Sequence, residues 1–242
     1  MILFLTSSPC QDGDSHIDPQ NQFVDNLKWT IPYQARVLFI TAAPDDFAFS
    51  EYCATSMYAS LESCGLVFKS LVCLDRRNEA DSHTLIDQSD FIILGGGHVP
   101  TQNRWLNELA IATKLKAFPG VIMGISAGSM NCAETVYAQP ELPGESEDPN
   151  YQRFLPGLGL TKTNILPHYQ KLKYDMLDNR SLFDDITRED SKGHCFYALP
   201  DGSYLRQQNG REIIFGEAWA FHDQKITKVC EHGQTLVLNE HT

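Results

Sequence analysis

Residues 91–98 read Phe91-Ile92-Ile93-Leu94-Gly95-Gly96-Gly97-His98, and residues 121–129 read Val121-Ile122-Met123-Gly124-Ile125-Ser126-Ala127-Gly128-Ser129. Each is a short, unbroken apolar run that ends in glycine. A run of that length without polar alternation is a strand buried on both faces, as in a parallel sheet covered by helices on either side. Ligands of such sheets collect beyond the carboxyl ends of the strands, so both glycine-rich turns stand where a site belongs. One helical stretch, carrying Trp105, Leu109 and Ala112 and ended by Pro119-Gly120, separates the runs. That spacing predicts adjacent parallel strands whose loops converge.

Outward from this pair the alternation continues. Met1 to Leu5 and Arg36 to Thr41 are further buried strands; Asp45 or Asp46 caps a helix whose Ala54, Met57, Tyr58 and Leu61 share one face until Gly65 stops it. Val67 to Cys73 returns as a strand, a short helix runs from His83 to Gln88, and another helix is expected to begin near Met130. Between Gln139 and Arg153 the chain turns to Pro, Gly and acids (Glu141, Glu145, Glu147, Asp148), the composition of a solvated surface loop. The last third carries short apolar segments, Phe196 to Leu199, Ile213 to Phe215, Ala218 to Phe221 and Thr235 to Leu238, punctuated by Asp-Gly and Asn-Gly turns that suit antiparallel strands. The expectation is an α/β fold in three layers, with a mostly parallel sheet flanked by helices, antiparallel strands toward the C-terminus, and one domain over residues 1–242.

Composition narrows the partners. With 19 Lys+Arg against 31 Asp+Glu the formal charge is −12, which disfavours binding to a phosphate backbone. Met1 to Leu5 lacks a basic flank and is too short for a signal peptide or a membrane span. The seven cysteines are odd in number and form no C-x-x-C pair, which argues against a disulfide framework or a zinc site and for a reduced, cytoplasmic protein. No dinucleotide fingerprint or metal spacing occurs, so no cofactor is expected.

Gly124-Ile125-Ser126-Ala127-Gly128 is a G-x-S-x-G pattern, the strand-to-helix turn that exposes a nucleophilic serine at a helix N-terminus. The Ala127 N–H, directly after the serine, faces a developing oxyanion. A triglycine at 95–97 contributes no packing, so its value lies in close backbone approach to a ligand, and the Gly96 or Gly97 N–H is the second expected donor. The serine needs a base. Among the histidines, His16 lies in a polar N-terminal loop, His241 at the terminus, and His222 and His232 near turns. His168 follows Asn164-Ile165-Leu166-Pro167, a strand-like run with a stiff proline, and is the best-placed candidate.

These pieces together resemble the serine peptidases of the aspartyl dipeptidase (peptidase E) and cyanophycinase type, relatives of class I glutamine amidotransferase domains that carry serine in place of cysteine. The resemblance rests on Leu94 to Gly97, Gly124 to Ser129, Gly157-Leu158-Gly159-Leu160 leading to Leu166-Pro167-His168-Tyr169, and Ala198-Leu199-Pro200-Asp201-Gly202, in family order over most of the chain. It implies Ser126 as nucleophile, His168 as general base, and the acid of the Leu-Pro-acid-Gly turn, here Asp201, as orienting carboxylate. The dipeptidase pattern has Glu at that position, and Asn where His98 follows the glycines. Glu141 is the rival acid, in a loop that also suits substrate contact; rigidity after Pro200 favours Asp201. Aspartyl dipeptidases need a cation for the substrate carboxylate, for which Arg180 is the candidate.

The function expected is hydrolysis of small peptides, aspartyl or β-aspartyl dipeptides among them, by a cytoplasmic homodimer without nucleic-acid or membrane partners. An esterase or lipase-like serine hydrolase is the alternative enzyme, although an α/β-hydrolase runs Ser, acid, His rather than Ser126, His168, Asp201. A non-catalytic small-molecule binder of the same fold is the alternative outside catalysis. A glutamine amidotransferase is rejected because Cys132 comes six residues after the elbow serine.

Overall fold

The computed structural model describes residues 1–10 and 16–238; His241 lies outside the described residues. Five strands, β1 (Ile2–Thr6), β2 (Ala35–Ile40), β3 (Phe68–Leu74), β4 (Phe91–Leu94) and β5 (Val121–Ile125), run parallel in the order β1-β5-β4-β2-β3. Beyond β1 the sheet continues through Tyr204–Gln208, Arg211–Phe215 and Thr235–Leu238, all antiparallel, to eight strands. β1 is therefore the seam between the parallel and antiparallel halves.

The unbroken apolar runs are explained by burial on both faces. Leu3, Leu5, Leu38, Ile40, Ile92, Leu94 and Ile122 point to one side, where they meet Ile86, Trp105, Leu106 and Leu115 of the helices that follow β3 and β4. Phe4, Val37, Phe39, Ile93 and Met123 point to the other, against Phe23 and Leu27 of helix Phe23–Thr30 and Ala54 and Leu61 of helix Phe47–Ser63. The Asp46 side chain caps the latter by accepting from the Phe49 N–H. No helix among the described residues is long and apolar enough to cross a membrane.

Three details depart from the sequence expectation. The helical stretch between β4 and β5 is two helices, Val99–Glu108 and Ala112–Lys116, parted at Ala110 with φ +53°. The helix expected near Met130 instead begins at Ala127 and ends at Met130. The C-terminal strands divide between two sheets: Lys225–Cys230, Ala218–His222, Cys195–Ala198 and Asn164–Leu166 form a separate four-stranded sheet in that order. In it Asn164–Leu166 runs parallel to Cys195–Ala198, with Leu166 opposite Ala198. Two parallel neighbours leave a sheet on the same edge, so the segments after Leu166 and after Ala198 emerge side by side.

The glycines of the elbow allow the Ala127–Met130 helix to lie against the strand ends. A Cβ at Gly128 would stand 2.2 Å from the Leu94 carbonyl oxygen, and one at Gly124 2.6 Å from the Ser129 Cα. Neither neighbour is a flexible side-chain tip, so the backbone itself would have to move. Gly128→Ala is expected to lower unfolding free energy by about 1–3 kcal/mol, the usual range for overpacking, as read from urea denaturation.

Candidate active site

Ser126 sits at the turn between β5 and the Ala127–Met130 helix with φ +50° and ψ −115°, a conformation that costs a non-glycine residue on the order of 1–3 kcal/mol. Its N–H is held between two carbonyl oxygens from the end of β1, those of Thr6 (3.1 Å) and Ser7 (3.0 Å). The Thr6 hydroxyl donates to the Gly124 carbonyl at 2.8 Å, and the Ser129 hydroxyl donates to the Thr6 carbonyl at 2.8 Å. With the backbone fixed in this way, the Ser126 side chain stands 3.0 Å from Nε2 of His168.

His168 and Asp201 come from the two chain segments that leave the second sheet side by side. The Leu199 N–H donates to the Leu166 carbonyl at 2.8 Å and the Tyr169 N–H to the Leu199 carbonyl at 3.2 Å, extending the pairing past the strand ends. His168 adopts the left-handed region at φ +58°, turning its ring toward Ser126. Its Nδ1 lies 2.7 Å from Oδ1 of Asp201. A carboxylate only accepts, so Nδ1 carries the proton, and in the neutral ring the Nε2 lone pair is left facing the serine hydroxyl.

Asp201 is heavily supplied with donors. The Ser7 hydroxyl donates to its Oδ1 at 2.7 Å, the Gln170 amide donates to Oδ2 at 2.7 Å, and the Lys171 ammonium lies 3.0 Å from Oδ2. The Asp201 N–H in turn donates to the Gln170 side-chain oxygen at 2.9 Å. Burial opposes ionisation of this carboxyl, but the hydrogen bonds from His168, Ser7 and Lys171 and the charge of His168 outweigh it and hold the group well below the usual carboxylate range. Ser7 and Gln170 were missed by sequence reasoning. Ser7 also accepts the His168 N–H at 2.7 Å, so one hydroxyl fixes both His168 and Asp201.

Glu141, the rival acid, makes no hydrogen bond to His168; it lines the same cavity instead. That cavity has a volume of about 300 Å³ and is bounded by Gly97, Ser126, His168 and Glu141, with an apolar wall from Met130, Leu172, Met176, Leu177 and Leu182. Glu141 as a whole residue keeps solvent contact, yet protein crowds its carboxyl. Burial pushes that carboxyl above its ordinary value; His98 opposes the shift and Glu145 adds to it.

The loop carrying Glu141 is fastened rather than freely solvated. Glu145 accepts the N–H groups of Glu141 and Leu142 at 2.8 and 2.9 Å and faces Nε2 of His98 at 3.3 Å. His98 is braced by the Thr101 hydroxyl at 2.8 Å. On the far side Asp178 accepts from the Gly144 N–H at 2.7 Å and from the Ser146 hydroxyl at 2.6 Å. His98 thus ties the triglycine loop to the acidic loop. Arg180 is half-buried on the hairpin below, with its guanidinium donating to Glu189 at 2.6 Å, and is not among the cavity's lining residues.

The N–H groups of Gly96, Gly97 and Ala127 donate to no backbone carbonyl among the described residues, whereas that of Gly95 donates to Ile40 at 2.9 Å. A Cβ on Gly96 would stand 3.4 Å from the Ser126 Cβ, which places this loop directly beside the serine. Cys132 is fully buried, its thiol pushed well up by desolvation and donating to the Gly128 carbonyl at 3.2 Å.

A serine, an imidazole and a carboxylate joined in one hydrogen-bonded line beside unpaired N–H groups raise the question of family, and a sequence profile answers it: Peptidase family S51 matches residues 2–215. The chain belongs to peptidase family S51. It is a serine-type peptidase. No curated protein matches it in sequence. Among solved structures, a peptidase from an acI-B1 Actinobacterium superposes with a TM-score of 0.71 at 16% identity, covering 98% of this chain and 96% of that one. A protein described as a peptidase E from Listeria monocytogenes EGD-e superposes with a TM-score of 0.61 at 21% identity, covering 88% and 96%. At these identities the two structures establish the shared α/β fold.

Two predictions follow from the donor set around Asp201. Its folded-state carboxyl is depressed, so its contribution to stability is full above the unfolded value of about 3.9 and is lost as pH falls toward the folded value. The difference in melting temperature between wild type and Asp201→Asn is therefore expected to shrink as pH falls below about 4. Ser7→Ala removes one bond to a charged group and the acceptor for the His168 N–H; kcat is expected to fall by about 10- to 100-fold with little change in the far-ultraviolet circular dichroism.

Proposed function

We propose that the protein hydrolyses peptide bonds in small peptides through an acyl-enzyme on Ser126, with His168 as general base and then general acid, and Asp201 as the carboxylate that orients the ring. The observation that carries this reading is the continuous line from Ser126 Oγ to His168 Nε2 (3.0 Å) and from His168 Nδ1 to Asp201 Oδ1 (2.7 Å), opening into the cavity. Ser126 Oγ bonds to the scissile carbonyl carbon as its proton passes to Nε2. The carbonyl oxygen becomes an oxyanion held by the N–H of Ala127 and that of Gly96 or Gly97. Collapse of the tetrahedral intermediate breaks the C–N bond, and Nε2 gives its proton to the departing amine. Water, deprotonated by the same nitrogen, then attacks the ester and releases the acid, returning the proton to Ser126.

The volume of about 300 Å³ lies at the small end of ligand pockets, ~300–1,000 Å³, which suits a dipeptide or the end of a short peptide. An aspartyl or β-aspartyl side chain, the substrate the resemblance implies, needs a cation. Arg180 is engaged with Glu189 away from the lining, and its expected role as substrate ligand is not part of the proposal.

The test is covalent capture by a fluorophosphonate, located by peptide mass spectrometry, together with turnover of a dipeptide panel. Labelling is expected at Ser126 and absent in Ser126→Ala. Asp201→Asn is expected to keep the fold and lower kcat by ~10³- to 10⁴-fold, the effect of losing the orienting acid. Glu141→Gln is expected to act mainly on KM; the reverse ranking of the two acids in kcat would reassign the orienting role to the loop.

A further inference from the structure

The apolar lining of the cavity is built from Met130, Leu172, Met176, Leu177 and Leu182, and the carboxylates that line it are Glu141 and Asp175. No Lys or Arg is among its described lining residues. Two cations close in sequence to the lining are engaged by other acids, Lys171 by Asp201 and Arg180 by Glu189. A substrate carboxylate entering here would lose its hydration and meet like charge, while an aliphatic or thioether side chain would exchange water for carbon.

Glu141 has the chemistry for the other end of such a substrate. Burial and Glu145 disfavour its charge, His98 and the Val99 N–H favour it, and the balance leaves the carboxyl above its ordinary value; the His168 ring is close enough to influence it electrostatically. An ammonium beside it would offset both penalties. In a peptide whose first residue is the acyl group, the α-ammonium and the side chain branch from the same carbon, one bond from the scissile carbonyl. One cavity lined by a carboxylate, the His168–Ser126 pair and apolar side chains offers a partner to each branch.

We propose that the site takes peptides with a free N-terminal amine and an uncharged apolar first residue, the amine held by Glu141 and the side chain by the Met130–Leu172–Leu177–Leu182 wall, rather than aspartyl peptides. This rests on Ser126 being the nucleophile of a peptidase. The bond cleaved is the one after the first residue, by the steps given above, with water as co-reactant.

The experiment compares kcat/KM of the purified protein on Leu-p-nitroanilide, Asp-p-nitroanilide and N-acetyl-Leu-p-nitroanilide, with Leu-Ala and Asp-Ala as unactivated dipeptides. Leu substrates are expected to exceed their Asp counterparts by about tenfold or more, from burial of one aliphatic side chain against desolvation of a charge. Acetylation is expected to lower kcat/KM by about tenfold or more, and Glu141→Gln to narrow the ratio of free-amine to acetylated substrate toward one. Met176 is 64% exposed and tolerates a polar replacement, so Met176→Arg is expected to raise the Asp-to-Leu ratio by supplying the missing cation. Preference for Asp in the wild type, indifference to acetylation, or no turnover of any of these substrates overturns the proposal. Fluorophosphonate labelling at Ser126, measured on the same preparation, separates that outcome from failure of the serine mechanism itself, which would leave Ser126 unlabelled.

Discussion

The end of β1 is where the architecture and the site are joined. Thr6 and Ser7 present adjacent carbonyls to the Ser126 N–H, and Thr6 holds the elbow at Gly124 and Ser129 as well. Ser7 then turns its hydroxyl the other way, giving a hydrogen bond to Asp201 and taking one from the His168 backbone. Three segments far apart in sequence are thus pinned by two residues. The pinning works because β1 is a seam, with β5 and its elbow on one flank and Tyr204–Gln208, entered directly from the Asp201 turn, on the other. A strand in any other position would touch only one of the two.

This dependence explains which features could be read in the sequence. The elbow and the triglycine were legible because each follows a fully buried strand and each uses glycine where a side chain would collide or add nothing. The adjacency of β4 and β5 was legible because a single crossover separates them. Ser7 was not legible: a serine just past a strand looks like any polar turn residue, and its partners lie 161 and 194 positions away. The meeting of His168 with Asp201 had a structural cause that the pattern hid, since a three-residue strand at Asn164–Leu166 carries too little periodicity to declare parallel pairing with Cys195–Ala198. The acidic loop misled in a different way. Its composition is that of a solvated segment, and the partners that fasten its middle, His98 on Glu145 and Asp178 on Gly144 and Ser146, lie far from it in sequence.

Strain and restraint are paired in the site. Ser126 and His168 both occupy positive φ, each directly before a single helical turn, Ser126 at the first position after its strand and His168 at the second, after Pro167. Such conformations persist only where surrounding bonds over-determine them. For Ser126 the restraint is the double acceptor from β1; for His168 it is the Ser7 hydroxyl on its N–H and Asp201 on its ring. The geometry that aims Oγ at Nε2 is therefore set by backbone contacts more than by the side chains that face each other.

The two carboxylates near the line illustrate how surroundings divide labour between chemically similar groups. Both are crowded, and crowding alone would raise both. Asp201 receives hydrogen bonds from an imidazole, a hydroxyl and an amide and lies beside an ammonium, so its charge is fixed whether or not a substrate is present. Glu141 accepts a backbone N–H from Val99 and lies beside another acid, Glu145, and burial prevails, so its carboxyl stays above its ordinary value. A carboxylate held ionised by several donors suits fixing one tautomer of a ring; a carboxylate with fewer donors has room for a ligand that brings them. The donor count around each group, rather than its distance from the serine, is the ground for the proposed division, in which Asp201 orients the ring and Glu141 meets the substrate.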